Sequence, residues 1–246
     1  MPRFFYNSQI IEVGAVYTLT ETLLHHLKVR RLRAQDSITL FNGLGSEYRS
    51  VIVSMSQNCA DVLILEKIDI CRELPFSLTL AQGLCSNEKM DWLIEKSIEL
   101  GVLTIQPLIT AKSMIRIKPE RIEQRMKHWQ KLSWAACTQS GRNVIPKINA
   151  PLPLSKWIKN LNDNNQDQTL KIMPTLRGQY RFENLPKGAS NNVIVLIGPE
   201  AGLHEEEETE AIKAEFIDLR LGQRVLRAET AGIALIAALN GLWHGF

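Results

Sequence analysis

Glu200 stands in a glycine-bracketed loop, Gly198-Pro199-Glu200-Ala201-Gly202, directly behind the apolar run Val193–Ile197. Farther on, Gly222, Arg224, Arg227 and Glu229 crowd the stretch Leu219–Ala231, which runs into an apolar helix. Two strand-to-glycine-loop junctions this close together suggest backbone-lined turns at strand ends, a common ligand site in α/β proteins. Glu205-Glu206-Glu207-Glu208 follow the first loop; they complement the dipole of a helix N-terminus and would repel a phosphate placed there. The electrostatics suit a neutral nucleoside, or one carrying positive charge, better than ATP or the pyrophosphate of NAD, and no GxGxxG pattern is present. The bland alternatives are an ordinary βα loop with an acidic cap and a weak surface ion pair between Arg227 and Glu229.

Two further groups of residues could touch a nucleic acid. Arg142 follows the helix-stop Gly141 and offers a planar fork suited to a base edge or a phosphate; an exposed arginine after a helix is the plain alternative. His25-His26-Leu27-Lys28-Val29-Arg30-Arg31-Leu32-Arg33 carries four Lys or Arg, a pattern that fits phosphate contact or, equally, a solvated helix face. His25 and His26 point about 100° apart on a helix and cannot chelate one metal.

These residues need strands and helices to place them. Residues 1–70 read as a β-rich unit with strands at Val16–Leu19, Ser37–Phe41, Tyr48–Ser54 and Asp61–Lys67 and a helix at Glu21–Arg31, with Asn42–Gly45 closing a hairpin; a small barrel is expected. From Leu78 onward strands (Leu78–Gln82, Thr104–Leu108, Leu170–Met173, Val193–Ile197) alternate with helices (Lys89–Leu100, Pro119–Ala136). That alternation predicts a mostly parallel sheet with helices on both faces. Residues 160–168 are almost wholly polar and read as a loop, and Thr230 is a candidate cap for the last helix. The five tryptophans fall on predicted helices, where packing explains them better than base stacking.

The bulk properties exclude several classes. The chain has 246 residues, 45% of them hydrophobic, with a net charge of +3: mildly basic, compatible with RNA. No apolar run is long enough to span a bilayer and the N-terminus lacks a signal-peptide core, so a cytoplasmic protein with no membrane partner is expected. Cys59, Cys71, Cys85 and Cys137 form no CxxC pair, and no metal is expected.

The two C-terminal motifs, Ile197–Gly202 and Leu221–Ala231, resemble those of the RsmE family, ribosomal RNA uridine-N3 methyltransferases of the SPOUT class. The likeness extends to Lys89–Val102, Gln139-Ser140-Gly141-Arg142, Val144-Ile145-Pro146, Pro2-Arg3-Phe4-Phe5, His25-His26-Leu27 and Phe41-Asn42-Gly43, covering nearly the whole chain in order. The family usually has Gly at Ala201, Phe at Leu203, Pro at Gln223 and Thr at Ala228. An alanine at 201 is expected to strain the loop if that position needs positive φ.

The resemblance implies an α/β fold with a C-terminal trefoil knot and a small N-terminal PUA-like β-barrel: residues 1–72 for RNA binding, residues 73–246 for methyl transfer, in a homodimer. It implies S-adenosyl-L-methionine as cofactor, held by Met173, Pro174, Thr175, Ile197, Gly198, Pro199, Gly202, Leu221, Gly222, Val225, Leu226, Thr230 and Ala231. The expected reaction is methylation of N3 of a uridine in small-subunit (16S) ribosomal RNA, within the assembled subunit. Glu200 or Glu229 would stand near the proton removed from N3, and Arg227 or Arg142 near the flanking carbonyl oxygens. Arg3, His25, His26, Lys28, Arg30 and Arg33 are the expected RNA contacts. Two alternatives remain: another SPOUT RNA methylation (ribose 2′-O, or on tRNA), and a non-catalytic RNA-binding ribosome assembly factor.

Overall fold

Alternating burial along the N-terminal strands builds one face of a small sheet. The computed structural model describes residues 1–8, 11–115, 117–163, 169–188 and 190–245. Residues 1–73 together with 137–145 form one compact unit; residues 74–136 with the chain from 146 onward form the other.

In the first unit, β1 (Arg3–Phe5), β2 (Val16–Leu19), β3 (Ser37–Phe41), β4 (Ser46–Met55) and β5 (Ala60–Asp69) make a five-stranded sheet in the order β1-β3-β4-β5-β2. Ala60, Val62 and Ile64 of β5 point inward while their neighbours face out, the period of a half-buried strand. They meet Leu19, Ile38, Leu40 and Ile52, and helix α1 (Glu21–Val29) closes this core with Leu24 and Leu27. Gly43 and Gly45, at φ +83° and +106°, turn β3 into β4 as expected for the hairpin. The expected small barrel is a half-barrel: β1 and β2 are the sheet's edges, and no pairing joins them among the described residues.

The second unit is a parallel sheet in the order β12-β10-β11-β6-β7-β8, formed by β6 (Ser77–Gly83), β7 (Thr104–Ile109), β8 (Lys147–Ile148), β10 (Thr169–Pro174), β11 (Asn192–Ile197) and β12 (Ile217–Leu219), with β9 (Leu152–Pro153) pairing β7. Val193–Ile197 of β11 is buried residue by residue, as a strand covered on both faces must be. Around it lie α2 (Asn87–Glu99), α3 (Pro119–Ser140), α4 (Leu154–Asp163), α5 (Glu205–Lys213) and α6 (Ala228–Leu242), with one 3-10 turn at Phe182–Asn184. The side of α2 read from sequence, Met90, Leu93, Ile94, Ser97 and Ile98, is its buried side, and Gly101 at φ +91° ends it. No helix among the described residues is long and apolar enough to cross a membrane.

Two expectations need correction. The polar stretch read as a loop begins inside α4, which runs to Asp163; residues 164–168 lie outside the described residues. Leu154, Trp157 and Ile158 are buried and Leu161 packs against the same core, a helical stripe masked by the polar opposite face. Thr230 does not cap the last helix: α6 starts at Ala228, with Arg227 in extended conformation before it, leaving Thr230 within the first turn.

Candidate active site

Parallel sheets present ligand-binding loops at the carboxyl ends of their strands. Here the chains leaving β10, β11 and β12 surround a cavity of roughly 370 Å³. Pro174, Thr175 and Leu176 form one wall; Ile197 to Leu203 form another; Leu221, Gly222, Arg224, Val225, Leu226, Ala228 and Ala231 form the third, with Lys112 and Glu208 completing it. A shallower depression between α4 and α5, lined by Lys156, Lys159 and Lys213, has none of these loops.

The β11 loop is a tight backbone turn. The Gly202 N–H donates to the Pro199 carbonyl at 2.8 Å, and Gly202 takes φ +72°. A Cβ on Gly198 would lie 2.9 Å from the Leu203 nitrogen, so this position accepts no side chain. The strain expected at Ala201 does not arise, because the left-handed position of the turn is Gly202 and Ala201 has no positive φ. Gln82, fully buried at the end of β6, fixes the loop from below: its Nε2 donates to the Gly198 carbonyl at 3.1 Å and to the Gly83 carbonyl at 2.9 Å. On the far side Lys112 Nζ donates to the Leu203 carbonyl at 2.9 Å.

The segment leaving β10 lies on both edges of β12. The Thr175 N–H donates to the Leu219 carbonyl at 3.0 Å on one edge. On the other, the Tyr180 N–H donates to the Asp218 carbonyl at 3.2 Å and the Arg220 N–H to the Tyr180 carbonyl at 2.8 Å. Gly178 permits this wrap, since a Cβ there would lie 2.6 Å from the Asp218 carbonyl oxygen.

The polar groups are carboxylates and their partners. Glu200 accepts from the Ser86 N–H at 3.1 Å and is 3.3 Å from Lys89 Nζ. Burial pushes its carboxyl up, but the Ser86 and Glu200 N–H groups and Lys89 outweigh that and hold it below the usual range. The same ammonium is 3.8 Å from Glu229, whose Oε2 is buried and accepts no hydrogen bond. Burial, then Glu200 and Glu229, push the neighbouring Cys85 thiol up to about 12, so it stays neutral. Burial also raises the Glu208 carboxyl, against the pull of Lys112. No group of three or more His, Cys, Asp or Glu able to hold a metal occurs among the described residues.

Of the thirteen residues expected to hold the cofactor, eleven line this cavity: Pro174, Thr175, Ile197, Gly198, Pro199, Gly202, Leu221, Gly222, Val225, Leu226 and Ala231. Met173 instead points into the core, and Thr230 sits exposed on α6. Of the expected catalytic residues, Glu200 is on the wall, Glu229 is beside Lys89, and Arg227 is exposed ahead of α6. Arg142 belongs to the other unit, where it is buried and ion-paired with Glu73. Sequence reading missed Lys112 and Leu176 on the wall and Gln82 behind it; Ala201, Leu203, Glu208, Arg224, Ala228 and Lys89 lie in or beside the stretches it quoted but were not assigned to the site.

In the first unit His25, His26, Lys28, Arg30 and Arg33 are all exposed. Arg3 is not available as an RNA contact. Its guanidinium is paired with Glu47, donates to Asn143 Oδ1 at 2.8 Å and lies 4.7 Å from the Phe41 ring centre.

Comparisons with known proteins agree with this geometry. A family model described as an RNA methyltransferase domain matches residues 72–240, and one described as an RNA methyltransferase PUA domain matches residues 19–65. The chain is 31% identical over 247 residues to the ribosomal RNA small subunit methyltransferase E of Buchnera aphidicola (subsp. Acyrthosiphon pisum), with 100% of this chain and 95% of the relative covered. The crystal structure of a ribosomal RNA small subunit methyltransferase E from Neisseria gonorrhoeae bound to S-adenosyl methionine superposes with a TM-score of 0.90, at 32% identity over 99% of this chain and 98% of that one. A Legionella pneumophila protein in complex with the bound cofactor SAM gives 0.89 at 30% identity, over 98% and 97%.

Proposed function

The chain belongs to the ribosomal RNA small subunit methyltransferase E family, and we propose that it transfers a methyl group from S-adenosyl-L-methionine to N3 of a uridine in small-subunit (16S) ribosomal RNA. The observation that carries this reading is the cavity itself: nucleoside-sized, walled largely by backbone and apolar side chains, with the carboxylates of Glu200 and Glu208 balancing Lys112 and Arg224 on its wall.

The residues present fit the cofactor. Ile197, Leu221, Leu226 and Ala231 offer apolar surface, and the Pro174–Thr175, Gly198–Gly202 and Gly222–Val225 segments offer backbone groups. Gln82 keeps the Gly198 carbonyl in place. Glu200 and Glu208 favour a ligand with positive charge. When bound, the cofactor supplies a methyl group activated on a sulfonium.

The remaining work falls to this chain's side chains. Uridine N3 is a weak nucleophile while protonated. Glu229, whose buried Oε2 lies 3.8 Å from Lys89, is assigned the acceptor of that proton; Glu200, engaged by Ser86 and Lys89 on the cavity wall, orients the site. Arg227, exposed ahead of α6, stabilises charge on the uracil carbonyl oxygens. Arg142, buried against Glu73, is the weaker candidate for that role.

The same reading includes residues 1–72 as a PUA-like RNA-binding domain, with His25, His26, Lys28, Arg30 and Arg33 as phosphate contacts, and residues 73–246 as the methyltransferase domain. It includes the trefoil knot, supported by the continuous segment 174–180, which bonds to both edges of β12. It also includes a homodimer, supported by the apolar surface that Trp92 of α2 and Leu242 of α6 expose, and a cytoplasmic enzyme acting on the assembled subunit.

The test is methyl incorporation from labelled S-adenosylmethionine into unmodified small ribosomal subunits and into free 16S rRNA, followed by nucleoside analysis. N3-methyluridine is expected, most strongly from the subunit. A ribose-methylated product would replace the reaction with a different one. RNA binding without cofactor binding or incorporation would favour an assembly factor.

A further inference from the structure

We propose that Tyr180, Arg177 and Arg220 form a second RNA-binding surface on the methyltransferase unit, which takes a nucleotide flanking the target: the tyrosine ring stacks on a base and the two guanidiniums bind phosphates. The proposal rests on the methyltransferase reading above.

Charge is the first argument. Residues 174–188 and 217–227 carry six cations, Arg177, Arg181, Lys187, Arg220, Arg224 and Arg227, against two carboxylates, Glu183 and Asp218, the latter accepting from the Gln179 N–H at 3.2 Å. The whole chain is nearly balanced, 29 Lys and Arg to 26 Asp and Glu, so this is a local concentration. Arg177 and Arg220 are exposed and neither has an ion-pair partner within 4 Å among the described residues; Arg177 feels the Glu208 carboxylate at longer range, and Arg220 Nε donates to the Gly222 carbonyl at 3.3 Å. Across the cavity the first turn of α5 presents Glu205 to Glu208. A polyanion approaching the cavity is therefore drawn to the β10 and β12 loops and repelled from α5.

Shape and rigidity are the second. Tyr180 is 45% exposed, and Leu176 and Val225 on the same two segments are 64% and 76% exposed. Single-stranded RNA is held by such a mixture of aromatic faces, apolar side chains and arginines. The backbone beneath is fixed: Tyr180 pairs with both Asp218 and Arg220, and Gly178 lies against the Asp218 carbonyl. The ring and both guanidiniums thus start from a common, preorganised edge. Thr175 and Leu176, next to Arg177, line the cavity, so the surface is continuous with the site of methyl transfer.

The anchoring of Tyr180 is through its backbone, so its side chain can be changed without loosening the loop. The experiment compares wild type with Tyr180→Ala, Tyr180→Phe and the double variant Arg177→Ala, Arg220→Ala in the full chain. It measures KM for small-subunit RNA in methyl incorporation, the salt dependence of binding to that RNA, and S-adenosylmethionine affinity by calorimetry. Tyr180→Ala should raise the RNA KM about tenfold and Tyr180→Phe should restore it, as stacking requires. The double variant should flatten the log–log salt slope by roughly one to two units. Cofactor affinity should match wild type throughout. An unchanged RNA KM and slope in an active background would overturn the surface alone, as would a loss of cofactor affinity parallel to the RNA effect. A wild type that neither binds cofactor nor incorporates methyl would instead overturn the methyltransferase reading, and the salt slope would then decide the surface by itself.

Discussion

Glu200 on the cavity wall is held by Lys89 of α2, whose Nζ lies 3.3 Å from its Oε1. The same ammonium lies 3.8 Å from Glu229, so one cation faces two carboxylates. Lys89→Met should leave them repelling each other. Burial already pushes Glu200 up; without Lys89 less opposes it, so its carboxyl should rise. Activity that needs Glu200 ionised should then fail at a higher pH. The expected outcome is a drop in kcat of about tenfold near neutrality, with the acid limb of the kcat profile displaced upward. An acid limb superimposable on wild type would show that the pair does not govern proton removal.

Glu47 sets a second pH dependence, this one of stability. It is nearly buried; burial raises its carboxyl, yet hydrogen bonds from Arg72 and Arg3 outweigh this and leave it below its ordinary 4.5. A depressed carboxyl contributes stability above its unfolded pKa and loses it as pH falls through the folded one. The melting temperature of the first unit should therefore be flat from neutrality to about pH 5 and fall below that. Glu47→Gln should melt lower at neutral pH and show less of this acid decline. A variant with the wild-type acid decline would assign it to other carboxylates.

Arg142 and Arg227, equivalent as candidates in the sequence, should separate by experiment. Arg142 is 3% exposed and its Nε donates to Glu73 at 3.2 Å. Removing the carboxylate by Glu73→Ala leaves a buried guanidinium short of a counter-charge, expected to cost about 3 kcal/mol of stability in thermal or urea unfolding. Arg227→Ala, at an exposed position, should leave stability intact and lower turnover at least tenfold with unchanged cofactor affinity. If Glu73→Ala unfolds like wild type, the ion pair is not what holds this turn.

How much was legible in the sequence follows from how local each signal is. Val16–Leu19 and Ser37–Phe41 are strands with the bounds their composition gave, and the buried side of α2 followed from spacing alone. The cavity loops were readable because glycines and strand ends mark them within a few residues of sequence. What escaped was set by long-range pairing. Gln82 reaches the Gly198 carbonyl only because β6 lies beside β11, with Gln82 opposite Ile197. Lys89 meets Glu200 and Glu229 only once α2 packs against α6. Arg3 reads as an RNA contact in the sequence because its partner Glu47 stands 44 residues away. Helix α4 was hidden because its exposed face is as polar as a loop.

Gly198 gives the sharpest test of the cavity as the cofactor site. A side chain at this position would place its Cβ 2.9 Å from the Leu203 nitrogen and 3.0 Å from the Gly202 carbonyl carbon, both backbone atoms that cannot swing away. Gly202 in turn is held by its hydrogen bond to Pro199, so the strain must be relieved by opening the Pro199–Gly202 turn that forms the wall. Gly198→Val should therefore abolish S-adenosylmethionine binding in calorimetry. The first unit lies outside the turn, and its small-subunit RNA binding should survive. Gly222→Ala makes the comparison informative: its Cβ meets nothing within 4 Å, and only its φ of +139° resists the change. A weaker loss of affinity, of about tenfold, is expected there. Normal cofactor affinity in Gly198→Val would place the methyl donor elsewhere and remove the cavity from the mechanism.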